Sequence, residues 1–504
     1  MTTKERLYIY DTTLRDGQQT QGVTFSLDDK LRISQLLADI GIDYIEGGWP
    51  GANPVDSEFF DRKKEFAKSK LVAFGMTKRF GRSVENDETL AQVVSAGTSV
   101  VCLVGKSHDF HVQKALGISL DENIELITSS IKHLKSLGKE VHFDAEHFFD
   151  GFAANKKYAI SIVKEAMAAG ADWVVLCDTN GGCMPDQVRE TIESLIEEGI
   201  DASRLGIHAH NDTENAVANS LAAVQAGVRQ IQGTLNGLGE RCGNANLISI
   251  LPTLLLKPQF AEKFVTGVTS DSLKEITRAS RIMDDVLNRV PNRFAPYVGS
   301  SAFAHKAGLH ANAILKDTET YEHIDPELVG NERIIPVSNQ AGLSNLREKL
   351  QQAGIKADGD TGKLSMLLKE IKDKESEGYS FDSANASFEI FARRMLGQMP
   401  NFFEVKRYRV TTERRKDTIG NTKTLSEAVV VLKIGDKETL SVSESMDEEM
   451  NDLGPVNALS KAISKDLGQY QDIINGVRLI DFKVRITSGG TSAVTRVLID
   501  SEDE

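Results

Sequence analysis

Cysteines and long apolar runs are scarce in this chain. It has four cysteines in 504 residues, and none of them forms a CxxC pair of the kind that binds zinc. No apolar run is long enough to span a bilayer, and the first residues, MTTKERLYIYD, lack the apolar core of a secretory signal. We therefore expect reduced thiols and a cytoplasmic protein with no membrane partner.

Positive charge is also in deficit. The chain has 59 Lys and Arg against 73 Asp and Glu, a formal net charge of -14. This balance argues against nucleic acid or an anionic membrane as a partner, although it leaves room for a local basic pocket that binds an acidic substrate. A chain of 504 residues is too long to fold around a single hydrophobic core, so we expect two or more domains.

The first half of the chain alternates short apolar stretches with longer amphipathic ones. Alternating strand and helix units predict a parallel sheet, and eight strands favour a closed (β/α)8 TIM barrel over an open doubly wound sheet. In such barrels, active-site groups lie at the carboxyl ends of the strands. The eight predicted strands are residues 7–10, 44–46, 71–74, 99–104, 140–143, 173–176, 205–209 and 230–235.

The strand rhythm stops near residue 275, which predicts three regions. Residues 1–275 form the barrel, residues 276–395 form helical linker subdomains, and residues 396–504 form a C-terminal α+β domain. A glycine turn in this last region, ITSGGT at residues 486–491, would suit a pocket for a small amino acid. The alternative is a dimerisation domain without a ligand.

Two motifs at predicted strand ends indicate a metal site. GIHAHND places His208 and His210 two apart on a strand, so both imidazoles point to the same side. Two imidazoles and a carboxylate make a facial site for a divalent metal. Asp16 in DTTLRDGQQ is the best carboxylate because the first strand closes the barrel near the seventh, and Asn244 could add a fourth ligand. The alternative is a hydrogen-bonded pair of core histidines.

Three more polar residues follow predicted strands, and each has a structural alternative. Arg15 could offer its guanidinium to a developing oxyanion, or could only form a salt bridge with Asp16 or Glu46. Glu146 is a carboxylate at the same rim, or a partner for Arg15 or a backbone amide. Thr179 offers a hydroxyl to a substrate carboxylate, or caps the following turn.

The motifs DTTLRDGQQ, GIHAHND and GLGERCGN, in this order, resemble those of the Claisen-condensing enzymes related to isopropylmalate synthase, homocitrate synthase and citramalate synthase, in the DRE-TIM metallolyase superfamily. The resemblance covers nearly the whole chain. Within the family, YIEGGWPGANP, FDAEHFFDGF and CDTNGG look most like the citramalate branch. One departure is Gln18, which stands where the family commonly has Glu.

The resemblance implies a reaction and its cofactor. Acetyl-CoA would condense with a 2-oxo acid, pyruvate in the citramalate branch, and the thioester would then be hydrolysed, in isoleucine biosynthesis. A divalent metal (Mn2+, Mg2+, Co2+ or Zn2+) would bind Asp16, His208 and His210, with Asn244 as a further ligand. The end domain would bind isoleucine or leucine as an effector, in a homodimer.

The resemblance also implies roles for single residues. Arg15 would stabilise the alkoxide, Thr179 would hold the oxo-acid carboxylate, and Glu146 would belong to the acid/base network around the acetyl methyl. His310, in GLHANAIL, would reach the acetyl-CoA from a helical subdomain, of the same or a neighbouring subunit. Tyr321 is a weaker candidate in the same region.

Several alternatives stay open at this point. The oxo acid could be 2-oxoisovalerate (2-isopropylmalate synthase) or 2-oxoglutarate (homocitrate synthase), and the candidates to face its tail are Met76, Leu103 and Asp144. A lyase similar to hydroxymethylglutaryl-CoA lyase would carry a catalytic Cys in a longer glycine loop, a spacing that Cys242 does not match. A non-catalytic amino-acid sensor would use only the end domain.

Overall fold

The computed structural model describes residues 4–63, 65–334, 343–356, 361–376, 379, 381, 385–416, 422–446, 454–486 and 495–502. It divides the chain into two compact units. The first unit comprises Met1–Ala304 and Thr318–Ile334, and the second comprises His305–Asp317 and Ile335–Glu504.

The first unit contains a closed barrel of eight parallel strands, which confirms the predicted fold class. A two-residue strand, β1 (Glu5–Arg6), precedes the barrel and pairs outside it with β10 (Phe264–Val265). The last barrel strand pairs with the first, so the loops that follow them are neighbours. The barrel strands are β2 (Tyr8–Asp11), β3 (Tyr44–Gly48), β4 (Lys70–Met76), β5 (Val100–Lys106), β6 (Glu140–Glu146), β7 (Trp173–Asp178), β8 (Leu205–Ala209) and β9 (Gln230–Gly233).

Helices in the connections that follow the strands cover the outside of the barrel. The first of them shows how the sequence sets its ends: Ser26 and Asp29 form a reciprocal capping box, and Gly41 ends the helix in the left-handed region. The helices are α1 (Leu27–Ile40), α2 (Pro54–Arg62), α3 (Glu88–Ser95), α4 (Asp109–His111), α5 (Leu120–Ser136), α6 (Phe148–Ala154), α7 (Lys156–Ala168), α8 (Pro185–Glu197), α9 (Ala216–Ala226), α10 (Leu247–Leu256), α11 (Pro258–Ala261), α12 (Ser270–Leu273) and α13 (Ile276–Val286).

Buried side chains of the barrel form two clusters. A large cluster packs the strands against the helices and contains Leu103. The prediction that Leu103 faces the substrate from a strand end is therefore wrong. A smaller cluster contains Tyr10, Tyr44, Phe74 and Cys102, which alternate with the first set along their strands. The residues of β5 that can face a substrate are therefore those whose side chains point to the same side of the strand as Cys102, and not to the side of Leu103.

The second unit contains helices, a three-stranded antiparallel sheet and an antiparallel pair. Helix α18 (Pro455–Ser464) packs on the three-stranded sheet through a cluster that includes Val430, Leu432, Ala458 and Ala462. The glycine turn predicted as a ligand pocket lies outside the described residues, except for Ile486. The elements are α14 (Gly308–Ile314), α15 (Leu343–Gln352), α16 (Thr361–Ser376), α17 (Asn385–Met395), β11 (Glu404–Lys416), β12 (Thr422–Ile434), β13 (Lys437–Met446), α18 (Pro455–Ser464), α19 (Gln471–Asn475), β14 (Arg478–Ile486) and β15 (Thr495–Glu502).

Among the residues that the structure describes, no helix combines the length and the apolar character that crossing a membrane requires.

Candidate active site

Three predicted metal ligands converge at the carboxyl ends of β2 and β8. The Asp16 Oδ2 atom lies 3.2 Å from His208 Nε2 and 3.6 Å from His210 Nε2. All three side chains are buried, and one potential ligand atom of each lies within 4.8 Å of the others. Within the described ranges, no other trio of His, Cys, Asp or Glu meets this condition. We call Asp16, His208 and His210 the Asp16 cluster.

The fourth predicted ligand, Asn244, completes this cluster. Its Nδ2 atom donates to Asp16 Oδ2 at 2.6 Å and lies 3.3 Å from His208 Nε2. Its Oδ1 atom is buried and has no hydrogen-bond partner among the described residues. A half-turn of the amide exchanges its nitrogen and oxygen. The oxygen would then face Asp16 and His208, so the cluster and this unpaired oxygen fit a divalent cation.

Gln232, a residue that the sequence reasoning missed, sets the tautomer of His208. The Gln232 Nε2 atom donates to Asp144 Oδ1 at 3.0 Å, so its Oε1, 2.8 Å from His208 Nδ1, must accept a hydrogen bond. Neutral His208 then carries its proton on Nδ1 and presents the lone pair of Nε2 to Asp16. This is the tautomer that a metal ligand requires.

His210 is held in the other tautomer. The Arg241 guanidinium contacts His210 Nδ1 at 2.8 Å and also donates to both oxygens of Asp212 and to the Thr179 carbonyl. Because the guanidinium can only donate, neutral His210 carries its proton on Nε2, which faces Asp16. Binding a cation through Nε2 therefore requires the contact with Arg241 to break. Arg241 adopts a positive φ of 55° in the GLGERCGN loop.

Charge in the Asp16 cluster favours an ionised carboxylate. Burial opposes ionisation, but Arg15 and the two histidines outweigh it and hold the pKa of Asp16 well below its usual value. Burial also disfavours protonation of His208, but its hydrogen bond to Asp16 leaves the pKa of His208 raised. A cation would replace this proton as the partner of Asp16.

Arg15 lies between two carboxylates. Its NH1 atom is 3.2 Å from Asp16 Oδ1, its Nε is 2.6 Å from Glu46 Oε1, and its Cζ lies 4.0 Å from the centre of the Phe74 ring. Burial acts against the charge of Arg15, but Asp16 and Glu46 outweigh it and raise its pKa. Both salt bridges that the sequence suggested as alternatives are therefore present.

Glu146 and Thr179 lie at the ends of β6 and β7. Glu146 forms a salt bridge with Lys106, a different partner from the Arg15 or backbone amide that the sequence suggested. The Thr179 hydroxyl oxygen accepts from the His147 backbone N–H at 2.8 Å, so its own proton is available to donate to a ligand. Thr179 therefore holds the backbone of His147, the residue before α6, and does not cap the turn that follows Thr179.

His310 and Tyr321 remain predictions. His310 lies in α14, which belongs to the second unit, whereas Tyr321 belongs to the first unit and its side chain is partly exposed.

Comparisons with known proteins agree with this architecture. The family models that match are HMGL-like (residues 6–279), homocitrate synthase post-HMGL domain-like (residues 297–378) and LeuA allosteric (dimerisation) domain (residues 383–504). An (R)-citramalate synthase from Aquifex aeolicus is 48% identical over 99% of this chain and 92% of its own length. An (R)-citramalate synthase from Geobacter sulfurreducens is 45% identical over 98% and 92%. The chain belongs to the citramalate synthase family.

A more distant relative lies outside that branch. A 2-isopropylmalate synthase from Methanocaldococcus jannaschii is 31% identical over 99% of this chain and 89% of its own length. The (R)-citramalate synthases from Aquifex aeolicus and Geobacter sulfurreducens, at 48% and 45% identity, therefore match this chain more closely than this relative does over a similar span.

Gln18, the residue that departs from the family motif, has a partly buried side chain. It lies in the turn at Gly17–Gln19, and its Oε1 atom is buried without a hydrogen-bond partner in the described part of the chain. A carboxylate at that atom would be a buried charge, which costs more than a buried amide oxygen. The neutral side chain therefore suits this environment better than Glu would.

Proposed function

We propose that the chain is an (R)-citramalate synthase. It would join the acetyl group of acetyl-CoA to pyruvate and hydrolyse the thioester to citramalate and CoA, so that the acyl group becomes an alkyl group on transfer. The observation that carries this proposal is the identity of 48% and 45% with two (R)-citramalate synthases over nearly the full length of each chain.

The metal would be a divalent cation held by Asp16, His208, His210 and Asn244. Two imidazoles with oxygen ligands suit Mn2+, Co2+ or Zn2+. Mg2+, a hard cation that prefers oxygen ligands, is the alternative. The bound cation would act as a Lewis acid that polarises the keto group of pyruvate and offsets its carboxylate charge.

The side chains around this cluster would divide the remaining chemistry. Arg15 would donate to the alkoxide, because its guanidinium lies beside Asp16 and stays charged. Thr179 would donate its free hydroxyl proton to the pyruvate carboxylate. Glu146 would act in the acid/base network around the acetyl methyl, a very weak acid that needs a positioned base and a partner for the enolate oxygen. His310 and Tyr321 would contact the acetyl-CoA.

The C-terminal region would regulate the enzyme. Residues 383–504 match a LeuA allosteric (dimerisation) domain, which supports a homodimer and an amino-acid effector, isoleucine or leucine. We propose domain limits of 1–275, 276–395 and 396–504, and a cytoplasmic enzyme of isoleucine biosynthesis.

The test is release of free CoA, measured with a thiol reagent, from acetyl-CoA and a panel of 2-oxo acids. We expect kcat/KM to be highest with pyruvate, and the product to be (R)-citramalate. Faster turnover of 2-oxoisovalerate or 2-oxoglutarate would reassign the chain to isopropylmalate or homocitrate synthesis. No CoA release with any oxo acid and any of the four metals would favour the amino-acid sensor.

A further inference from the structure

Lys30 of α1 is a fully buried lysine behind the candidate site. Its ammonium donates to the Leu14 carbonyl at 2.9 Å and the Gly47 carbonyl at 3.1 Å, and it forms a salt bridge with Asp56 of α2. The second oxygen of Asp56 accepts from the Trp49 backbone N–H at 2.9 Å. A buried charge persists only when it is paired and hydrogen-bonded, and here every donor has an acceptor.

The two carbonyls bound by Lys30 adjoin the residues of the Arg15–Glu46 salt bridge. Leu14 directly precedes Arg15, and Gly47 directly follows Glu46. One ammonium therefore ties together the chain segments that end β2 and β3. The 2.6 Å contact between Arg15 and Glu46 joins the same two segments through their side chains.

The glycines of the EGGWP motif let Asp56 approach this point. A Cβ on Gly48, whose φ is +145°, would lie 2.6 Å from the Asp56 carboxyl carbon, and a Cβ on Gly47 would lie 2.4 Å from the Phe59 ring. Any side chain at either position would push α2 away. The glycine pair thus explains a motif to which the proposed reaction assigns no role.

The same carboxylate supports the surface on which Arg15 lies. Asp56 holds the Trp49 backbone, and the Trp49 ring packs edge-on against Phe74, with 5.6 Å between ring centres. Phe74 in turn lies under the Arg15 guanidinium. The ion pair is therefore connected both to the backbone next to Arg15 and to the ring beneath its side chain.

We propose that the buried Lys30–Asp56 pair is a positioning element for Arg15. It sets the two loops so that the guanidinium holds the place from which it would stabilise the alkoxide. This role rests on the proposed function of Arg15. A merely structural pair would affect folding and leave the chemical step unchanged.

The test is a variant that removes both charges together, Lys30→Met with Asp56→Asn. Removing one partner leaves an uncompensated buried charge, whereas neutralising both is far better tolerated. We expect a folded protein by circular dichroism, a kcat lowered about 10- to 100-fold, as for a misplacement of about 1 Å, and an unchanged KM for acetyl-CoA. The exposed pair Lys164–Glu198 supplies the control, Lys164→Met with Glu198→Gln, which should keep wild-type kcat.

A double-mutant cycle with Arg15→Lys separates positioning from general damage. In the Arg15→Lys background, loss of the ion pair should lower kcat less than about twofold, because the group that the pair positions has already been lost. The proposal is wrong if the same loss of kcat, about 10- to 100-fold, appears in the Arg15→Lys background. It is also wrong if the charge-free variant, Lys30→Met with Asp56→Asn, keeps wild-type kcat.

Should the charge-free variant fail to fold, Lys30→Arg keeps the charge but relocates the donors, and wild-type kcat in that folded variant would refute positioning. CoA release by the wild type is measured first, with each oxo acid. A wild type that is inactive with all of them overturns the proposed function. The double-mutant cycle tests only the positioning role, because it compares variants with the wild type on whichever oxo acid the wild type uses.

Discussion

Replacement of Gln232 by Leu should weaken metal binding without unfolding the barrel. The Gln232 oxygen is the acceptor that keeps the proton of His208 on Nδ1, and Asp144 fixes its orientation. Without it, His208 can place its proton on Nε2, toward Asp16, where it competes with a cation. Loss of such an outer hydrogen bond to a metal-binding His typically costs about 10- to 100-fold in affinity, or about 1.4–2.7 kcal/mol.

Isothermal titration of the purified protein with Mn2+ measures this effect directly. Gln230→Leu is the matched control, because Gln230 lies in the same strand and contacts His142 instead of His208. We expect wild-type affinity in that variant. Unchanged Mn2+ affinity in a folded Gln232→Leu variant would refute the tautomer argument.

Three other predictions concern the Asp16 cluster. Asp16→Asn and His210→Ala should each stay folded by circular dichroism, lose Mn2+ binding in titration, and lose CoA release; full activity in either would rule out the metal site. Because Asp16 raises the pKa of His208, protons should compete with Mn2+ at low pH, so the association constant measured by titration should rise with pH through that raised pKa and then level off. A flat profile between pH 5 and pH 8 would contradict this. Arg241→Met should tighten Mn2+ binding about tenfold, since it removes a charge-assisted hydrogen bond of about 1.5 kcal/mol that metal binding must break, and weaker binding would show that Arg241 supports the ligand.

Part of this architecture can be read from local pattern. Alternation within a strand places His208 and His210 on one side, and the barrel rule brings Asp16 to them, because both depend only on residue spacing and strand order. The predicted strands 140–143 and 173–176 end too early. The ladder continues through polar residues to Glu146 and Asp178, so hydrophobicity alone understates these strands.

Other parts depend on contacts that no local pattern encodes. The link from His208 through Gln232 to Asp144 joins β8, β9 and β6, and only the register of the closed barrel reveals it. Two glutamines two apart in β9 were the available signal, because polar residues are unexpected in a buried strand. Lys30 reads as one more charge on an amphipathic helix, and only its burial shows otherwise.

The pairing of the first barrel strand with the last has a consequence for how the molecule comes together. Asp16 and Asn244 are hydrogen-bonded although 228 positions separate them in the chain. A ribosome would therefore have released almost the whole barrel before the cation site could exist, so metal uptake belongs to the end of folding. Once bound, the cation would link the loops that follow the first and last barrel strands. A ligand that binds only the folded barrel raises the stability of that state by mass action. Removal of the metal with a chelator should then lower the free energy of unfolding of the protein.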